Sequence, residues 1–254
     1  MTLIAAHRGG ALEHVENSPA AFRATALTSV DQVEFDIHPS ADGAIVVIHD
    51  ATLERTTDGE GEVCRHSLAQ LKSLRLRGTE GAMLTLADVA RIFAPTSIVL
   101  RMEVKTDARQ TPYPGLLAQA LRVLEAEGMR ARTVVTSFNL EIAAEAAADP
   151  RLAGAIWLLS APRQAELGSA GVAAACIAHQ IGRVSLRHSS LTGAFLQDLR
   201  QAGIGVGAFG AHDTAAITAM LDMAVDVIST DRPSLALLLR DQFGRNNRYN
   251  SREA

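Results

Sequence analysis

Lysine is almost absent from this chain. Of its 24 basic residues, 22 are arginine and only two, Lys72 and Lys105, are lysine. Acidic residues number 28 and the formal net charge is −4, so no basic excess marks a nucleic-acid partner. Aromatic residues make up 4%, too few for a base-stacking surface. Two cysteines, Cys64 and Cys176, cannot build a disulfide framework or a cysteine-rich zinc site. No apolar run approaches the roughly 20 residues that span a bilayer, so stable membrane insertion is not expected. Met1-Thr2-Leu3-Ile4 leads straight into Ala5-Ala6-His7-Arg8, without the basic start and apolar stretch of a secretory signal. These absences predict a soluble, reduced, cytoplasmic protein. With 48% hydrophobic and 20% charged residues over 254 positions, the composition is globular. The length suits one large barrel or two small domains.

Short apolar segments alternate with helical patterns. Strands are predicted at 3–8, 33–38, 44–49, 98–105, 133–138, 154–159, 183–186, 205–209 and 226–230. Helices are predicted at 19–28, 115–128, 193–202, 214–224 and 234–243, with a short one after Ser67. Pro19 suits a first helical position behind a Ser18 cap, and Gly128 suits a helix end. Such alternation argues for parallel α/β architecture. Nine strands exceed an eight-stranded barrel by one. Asp42-Gly43 between two apolar runs is a hairpin signal, so 44–49 folds back beside the second strand, outside the barrel order. The expected fold is therefore an α/β (β/α)8 TIM-type barrel formed by residues 1–254 as one domain. A small insertion at about 39–85 and a polar, loosely held tail at 244–254 complete it. A doubly wound open sheet is the alternative, but His7-Arg8-Gly9-Gly10-Ala11 lacks its dinucleotide turn.

Two strands carry charge where a core strand is expected to be apolar. Val33, Phe35 and Ile37 alternate with Glu34, Asp36 and His38, and Leu100, Met102 and Val104 alternate with Arg101, Glu103 and Lys105. Apolar faces pack on outer helices; charged faces point into the barrel mouth, where barrel active sites lie. An edge strand with a wet face would explain one such pattern. A structural ion-pair network, with Arg101 and Lys105 neutralising the acids, would explain both. The functional reading is a hard oxygen site for Mg²⁺ or Ca²⁺ on Glu34, Asp36 and Glu103, with Lys105 beside it for a phosphoryl oxygen. His7 and His49 fall at the same mouth and suit acid–base chemistry. Asp50 follows His49 and could set its tautomer. His212, just after the seventh barrel strand, reaches the same end.

The motifs occur in a fixed order: His7-Arg8-Gly9-Gly10, Glu16-Asn17-Ser18, Glu34-x-Asp36, Asp42-Gly43, His49-Asp50, Leu53-Glu54-Arg55-Thr56-Thr57-Asp58-Gly59, Glu103-x-Lys105, Ser137-Phe138 and Thr230-Asp231-Arg232-Pro233. The ordered set resembles the glycerophosphodiester phosphodiesterase family over nearly the whole chain. The resemblance implies a distorted (β/α)8 barrel with an insertion after the second strand. It implies a divalent metal on Glu34, Asp36 and Glu103, phosphate contacts from Arg8 and Lys105, and acid–base roles for His7 and His49. Two departures stand out. Where the family often has Trp-Thr-x-Asn after the seventh strand, this chain has Phe209-Gly210-Ala211-His212. That stretch lines the glycerol side of the family's pocket, which makes Phe209 and His212 substrate-side residues. Leu84-Thr85-Leu86 replaces the family's Pro-Thr-Leu and keeps Thr85 as a helix cap.

The expected activity is metal-dependent hydrolysis of a small glycerophosphodiester to glycerol 3-phosphate and an alcohol. Its rivals are a lyase releasing a cyclic phosphate and a non-catalytic phospho-ligand binder. A Schiff-base aldolase at Lys105 is disfavoured, because neighbouring carboxylates raise a lysine pKa. The leaving alcohol, the ion, the attacking group and homo-oligomerisation stay open.

Overall fold

The computed structural model describes residues 1–250, with side chains through Arg245 in the last helix. Nine strands form one sheet: β1 Leu3–Ala6, β2 Gln32–Pro39, β3 Ile45–Val47, β4 Val99–Val104, β5 Thr133–Ser137, β6 Gly154–Leu159, β7 Arg183–Arg187, β8 Gly205–Phe209 and β9 Val227–Thr230. Eight of them pair in parallel in the order β1, β9, β8, β7, β6, β5, β4, β2, and β1 also pairs with β2, which closes a (β/α)8 TIM barrel. The ninth, β3, runs antiparallel to the end of β2, with Ile37 opposite Val47 and Pro39 opposite Ile45. The Asp-Gly hairpin is therefore formed, and Gly43 takes the positive φ of 82° that its turn requires.

Helices occupy the outside. They are α1 Pro19–Thr25, α2 Leu68–Ser73, α3 Leu86–Phe93, α4 Leu116–Ala126, α5 Leu140–Ala147, α6 Ala161–Ala178, α7 Gly193–Gln201, α8 Thr214–Asp222 and α9 Pro233–Asn250. Ser18 caps α1 by accepting the Ala21 N–H, and Thr85 and Asp88 form a reciprocal capping box on α3. The apolar faces read from β2 and β4 pack outward as expected. Val33, Phe35, Ile37, Leu100, Met102 and Val104 join the main core. Phe22 of α1 meets Phe35 and Phe93 edge-on at ring distances of 6.1 and 6.0 Å. Inside the barrel, Val134, Ile156 and Leu158 form a separate apolar cluster with Val99. A third cluster around Val46, Leu53, Val63, Leu71 and Met83 supports the chain after β2.

Some boundaries differ from the sequence expectation. β1 stops at Ala6, and His7–Gly9 turns through a 3-10 helix. β3 stops at Val47, so His49 stands two residues beyond it. Helices α5 and α6 were absent from the helical reading. In α6 only Val172 and Cys176 are buried, and its run of small residues carries no clear apolar period. The helix read at 234–243 extends to Asn250, so the polar stretch from Gly244 begins as helix rather than as a loose tail. Its last residues, 251–254, lie outside the described residues, as do the side chains of 246–250.

Candidate active site

The mouth of the barrel is built first by backbone. Arg8, Gly9 and Gly10 all adopt positive φ, at 49°, 77° and 90°. A Cβ on Gly9 would stand 3.0 Å from the Ala21 Cβ, and one on Gly10 would stand 3.1 Å from Pro233, so both positions exclude a side chain. Arg8 itself holds this strained conformation, and its N–H donates to Glu34 Oε2 at 3.0 Å. The turn thus lays His7 and Arg8 over the carboxylates of β2.

Parallel pairing sets Glu34 beside Arg101 and Asp36 beside Glu103. One oxygen each from Glu34, Asp36 and Glu103 lies within 4.8 Å of the others, and all three residues are buried. The donor set is entirely oxygen, without nitrogen or sulfur, and suits a hard divalent cation. Asn17 Nδ2 donates to Asp36 Oδ2 at 2.9 Å, while its own Oδ1 is buried with no partner among the described residues. That leaves a fourth, neutral oxygen beside the cluster. Burial and the charge of Asp36 push the Glu34 carboxyl up to about 7. Burial opposes ionisation of Asp36 as well, but Lys105, His49 and Arg8 outweigh it and hold the carboxyl well below its usual range. The residues present therefore fit a dication.

Lys105 reaches into this cluster. Its ammonium lies 2.9 Å from Asp36 Oδ1 and 2.6 Å from Glu103 Oε1. Burial works to strip its proton, yet the two carboxylates raise its pKa above the ordinary lysine value. The ion-pair network considered from sequence is thus present at Lys105. At Arg101 it is absent: the guanidinium is buried and makes no hydrogen bond to protein among the described residues.

His7 and His49 are each backed by a different carboxylate. His7 Nδ1 lies 2.5 Å from Asp231 Oδ1, and its Nε2 faces Glu34 at 3.8 Å. Burial lowers the His7 pKa, but Glu34 and Asp231 reverse this and leave it raised. Asp231 also meets His212: its N–H donates to His212 Nδ1 at 3.1 Å, which places the His212 proton on Nε2, 3.3 Å from Asp231 Oδ2. His49 Nδ1 lies 2.6 Å from Asp50 Oδ1. Arg55 then clamps Asp50 and Glu16 together, with Nε 2.5 Å from Asp50 Oδ2 and Nη1 2.8 Å from Glu16 Oε2. Glu16 in turn accepts from Arg8 Nη1 at 3.1 Å. Burial opposes ionisation of Asp50, yet the bonds from Arg55 and His49 bring its pKa down to about 2. From behind, His38 bonds the His49 carbonyl through Nε2 at 3.2 Å. The Tyr113 hydroxyl lies 3.1 Å from His38 Nδ1.

All nine residues singled out from sequence converge here. His7, Arg8, Glu34, His49, Glu103, Lys105, Phe209 and His212 line one cavity of about 410 Å³, and Asp36 lies directly behind its wall. Phe209 meets Phe138 edge-on at 6.0 Å, and Arg187 lies over its ring at 6.0 Å. A second hollow of about 690 Å³ opens on the other side of His49, Lys105 and Phe138. Sequence reasoning gave no role to Glu16, Asn17, Arg55 or Asp231. Their only signal was membership of the ordered motifs; their partners lie up to 224 residues away.

A profile described as the glycerophosphoryl diester phosphodiesterase family matches residues 7–235. The chain belongs to this family. A glycerophosphodiester phosphodiesterase of Caldanaerobacter subterraneus is 31% identical over 144 residues, 54% of this chain and 58% of that protein. This chain therefore spans little more than half the length of that curated relative. Among solved structures of the family, a glycerophosphoryl diester phosphodiesterase candidate from Agrobacterium tumefaciens superposes with a TM-score of 0.93 at 36% identity, covering 96% of this chain and 99% of that one. An Oleispira antarctica phosphodiesterase, solved in complex with the product sn-glycerol-3-phosphate, has the same fold, with a TM-score of 0.81 at 24% identity over 95% of this chain and 97% of that one. No helix among the described residues is long and apolar enough to cross a membrane.

Proposed function

We propose that the chain is a metal-dependent glycerophosphodiester phosphodiesterase that releases glycerol 3-phosphate and an alcohol. The observation that carries this reading is the convergence at one mouth of three buried carboxylates, two cations and two histidines, each histidine held by a separate carboxylate. A binder has no need of two such pairs. Glu34, Asp36 and Glu103 would hold Mg²⁺ or Ca²⁺, which when bound would neutralise the phosphate and the charge that grows in the transition state.

The protein groups divide the remaining work. Asp231 holds the His7 proton on Nδ1, which leaves Nε2 to accept a proton from the attacking oxygen. Asp50 holds His49 in the same way, and protonated Nε2 donates to the departing alkoxide. Arg8 and Lys105 contact the phosphoryl oxygens. Phe209 and His212 line the substrate cavity from the β8 side. Residues 39–85 act as an insertion in a single catalytic domain, carrying His49 to the mouth. The substrate is a free small molecule, and two unbridged cysteines suit the cytoplasm.

The test is a metal-reconstituted assay over a panel of glycerophosphodiesters, with phosphorus NMR of the products. The reading predicts metal-dependent release of glycerol 3-phosphate, lost in both His7→Ala and His49→Ala. Full activity in both variants would overturn it, and a cyclic phosphate as final product would replace hydrolase by lyase.

A further inference from the structure

The floor of the 410 Å³ cavity holds polar groups that the chemistry above does not use. Arg101 and Thr136 are 2% and 1% exposed, and both line this cavity together with Ser229. Arg101 Nη1 and Thr136 Oγ1 are fully shielded and have no hydrogen-bond partner among the described residues. The whole Arg101 guanidinium bonds to no protein group among the described residues. Buried donors are ordinarily satisfied, so an unmet guanidinium N–H and an unmet hydroxyl on two residues that line one cavity point to something bound there.

Charge balance narrows what that is. Glu34 and Glu103 act on Arg101 through space without bonding it. The three buried acids of the site, Glu34, Asp36 and Glu103, are matched in number by Arg8, Arg101 and Lys105. The guanidinium therefore lacks acceptors rather than a counter-charge. A neutral group with several oxygens meets that need better than another carboxylate. Depth fits as well. Arg101 lies two residues below Glu103 on the same inward face of β4, about 6.6 Å toward the barrel centre. Thr136 is the direct neighbour of Glu103 on β5. Both residues thus lie within two strand positions of Glu103, a span that a three-carbon arm covers.

We propose that Arg101 and Thr136 form a polyol-reading subsite at the bottom of the cavity, where they hydrogen-bond the hydroxyl groups of the substrate's glycerol arm. The proposal rests on the hydrolase reading above. Arg101 donates to the two vicinal oxygens through its fork, and Thr136 exchanges a hydrogen bond with one of them. A site built to bond substrate hydroxyls rejects an analogue that lacks them, because its own buried groups are then left unpaired.

The experiment compares two esters with one leaving group: glycerol 3-(4-nitrophenyl phosphate) and n-propyl 4-nitrophenyl phosphate. The wild-type enzyme is expected to favour the glycerol ester by about 10²–10⁴ in kcat/KM. Thr136→Val is expected to lower that value about 10- to 100-fold for the glycerol ester while leaving the propyl ester unchanged, with Thr136→Ser restoring the preference; Arg101→Met is expected to lower the glycerol-to-propyl ratio by a similar factor. Thr136→Val keeps the test intact if Arg101→Met fails to fold. Equal losses on both esters would show a structural role and overturn the subsite. So would an unchanged preference, which would mean that the floor groups bind water only. Equal wild-type rates on the two esters sink the subsite but leave the hydrolase; hydrolysis of neither sinks both.

Discussion

Replacing Lys105 by methionine separates two jobs that the residue performs at once. Its ammonium is the counter-charge for Asp36 at 2.9 Å and Glu103 at 2.6 Å, and its side chain is only 12% exposed, so solvent screens the pair weakly. Removing one partner of a buried pair leaves uncompensated charge and costs about 3–5 kcal/mol. Each kcal/mol shifts the melting temperature of a chain this size by about 2–4 °C, so the metal-free variant should melt about 6–20 °C lower. Metal binding should move the other way. With one competing cation gone, the carboxylates attract a dication more strongly, and a cation at 100 times its Kd returns about 2.7 kcal/mol. Scanning calorimetry with chelator and with Mg²⁺, together with a metal titration and a phosphodiesterase assay, reads all three quantities. The expected outcome is a less stable apoprotein, tighter metal binding and lost turnover. An unchanged apoprotein melting point together with weaker metal binding would refute the assignment of Lys105 as counter-charge. Lys105→Arg keeps the charge but must fit a planar fork between two carboxylates; stability should hold while turnover falls about 10-fold or more.

Other consequences are equally direct. Asp231→Asn replaces the ionised acceptor by an amide whose NH2 can donate to Nδ1 and shift the His7 proton to Nε2, and kcat should fall about 10²–10⁴-fold, as read from saturating rates, with the fold intact by circular dichroism. Arg55→Ala unlinks Asp50 from Glu16, the partners of His49 and Arg8; activity should fall and be partly restored by added guanidinium, but not by Arg55→Lys, whose point charge cannot bridge two carboxylates. Without metal, Glu34 holds its proton up to about pH 7, so cation binding must displace that proton below this pH. Metal affinity should therefore weaken as pH falls through 7, and calorimetry in buffers of different ionisation enthalpy should show up to one proton released per ion below pH 7 and none well above it. Chelation should abolish turnover, and Mg²⁺ or Ca²⁺ should restore it.

Much of this was legible in the chain because local rules sufficed. The period-2 alternation on β2 and β4 identified an inward charged face, and the Asp42-Gly43 turn removed the ninth strand from the barrel count. The three clustered carboxylates sit two apart on one strand and directly across on its neighbour, which a strand pattern can express. Less visible were α5 and α6, whose small residues blur the helical period, and the ends of β1 and β3, where tertiary turns replace the last predicted strand residues.

The sequence by itself determined the barrel, its extra hairpin strand and the carboxylates, lysine and histidines that reach one mouth, because periodicity and turn chemistry act over a few residues; Arg8 and Phe209 entered only through the family resemblance. Only the tertiary structure decided who partners whom. Asp231, just past the last barrel strand, holds His7, just past the first, and Arg55 crosses from the segment after β2 to tie Asp50 to Glu16. Lysine scarcity had already marked Lys105; its place between two carboxylates depended on barrel closure. Arg101 looked from spacing like one more neutralising charge. The fold leaves it buried against the cavity with no hydrogen bond among the described residues, because strand register fixes which inward side chains meet.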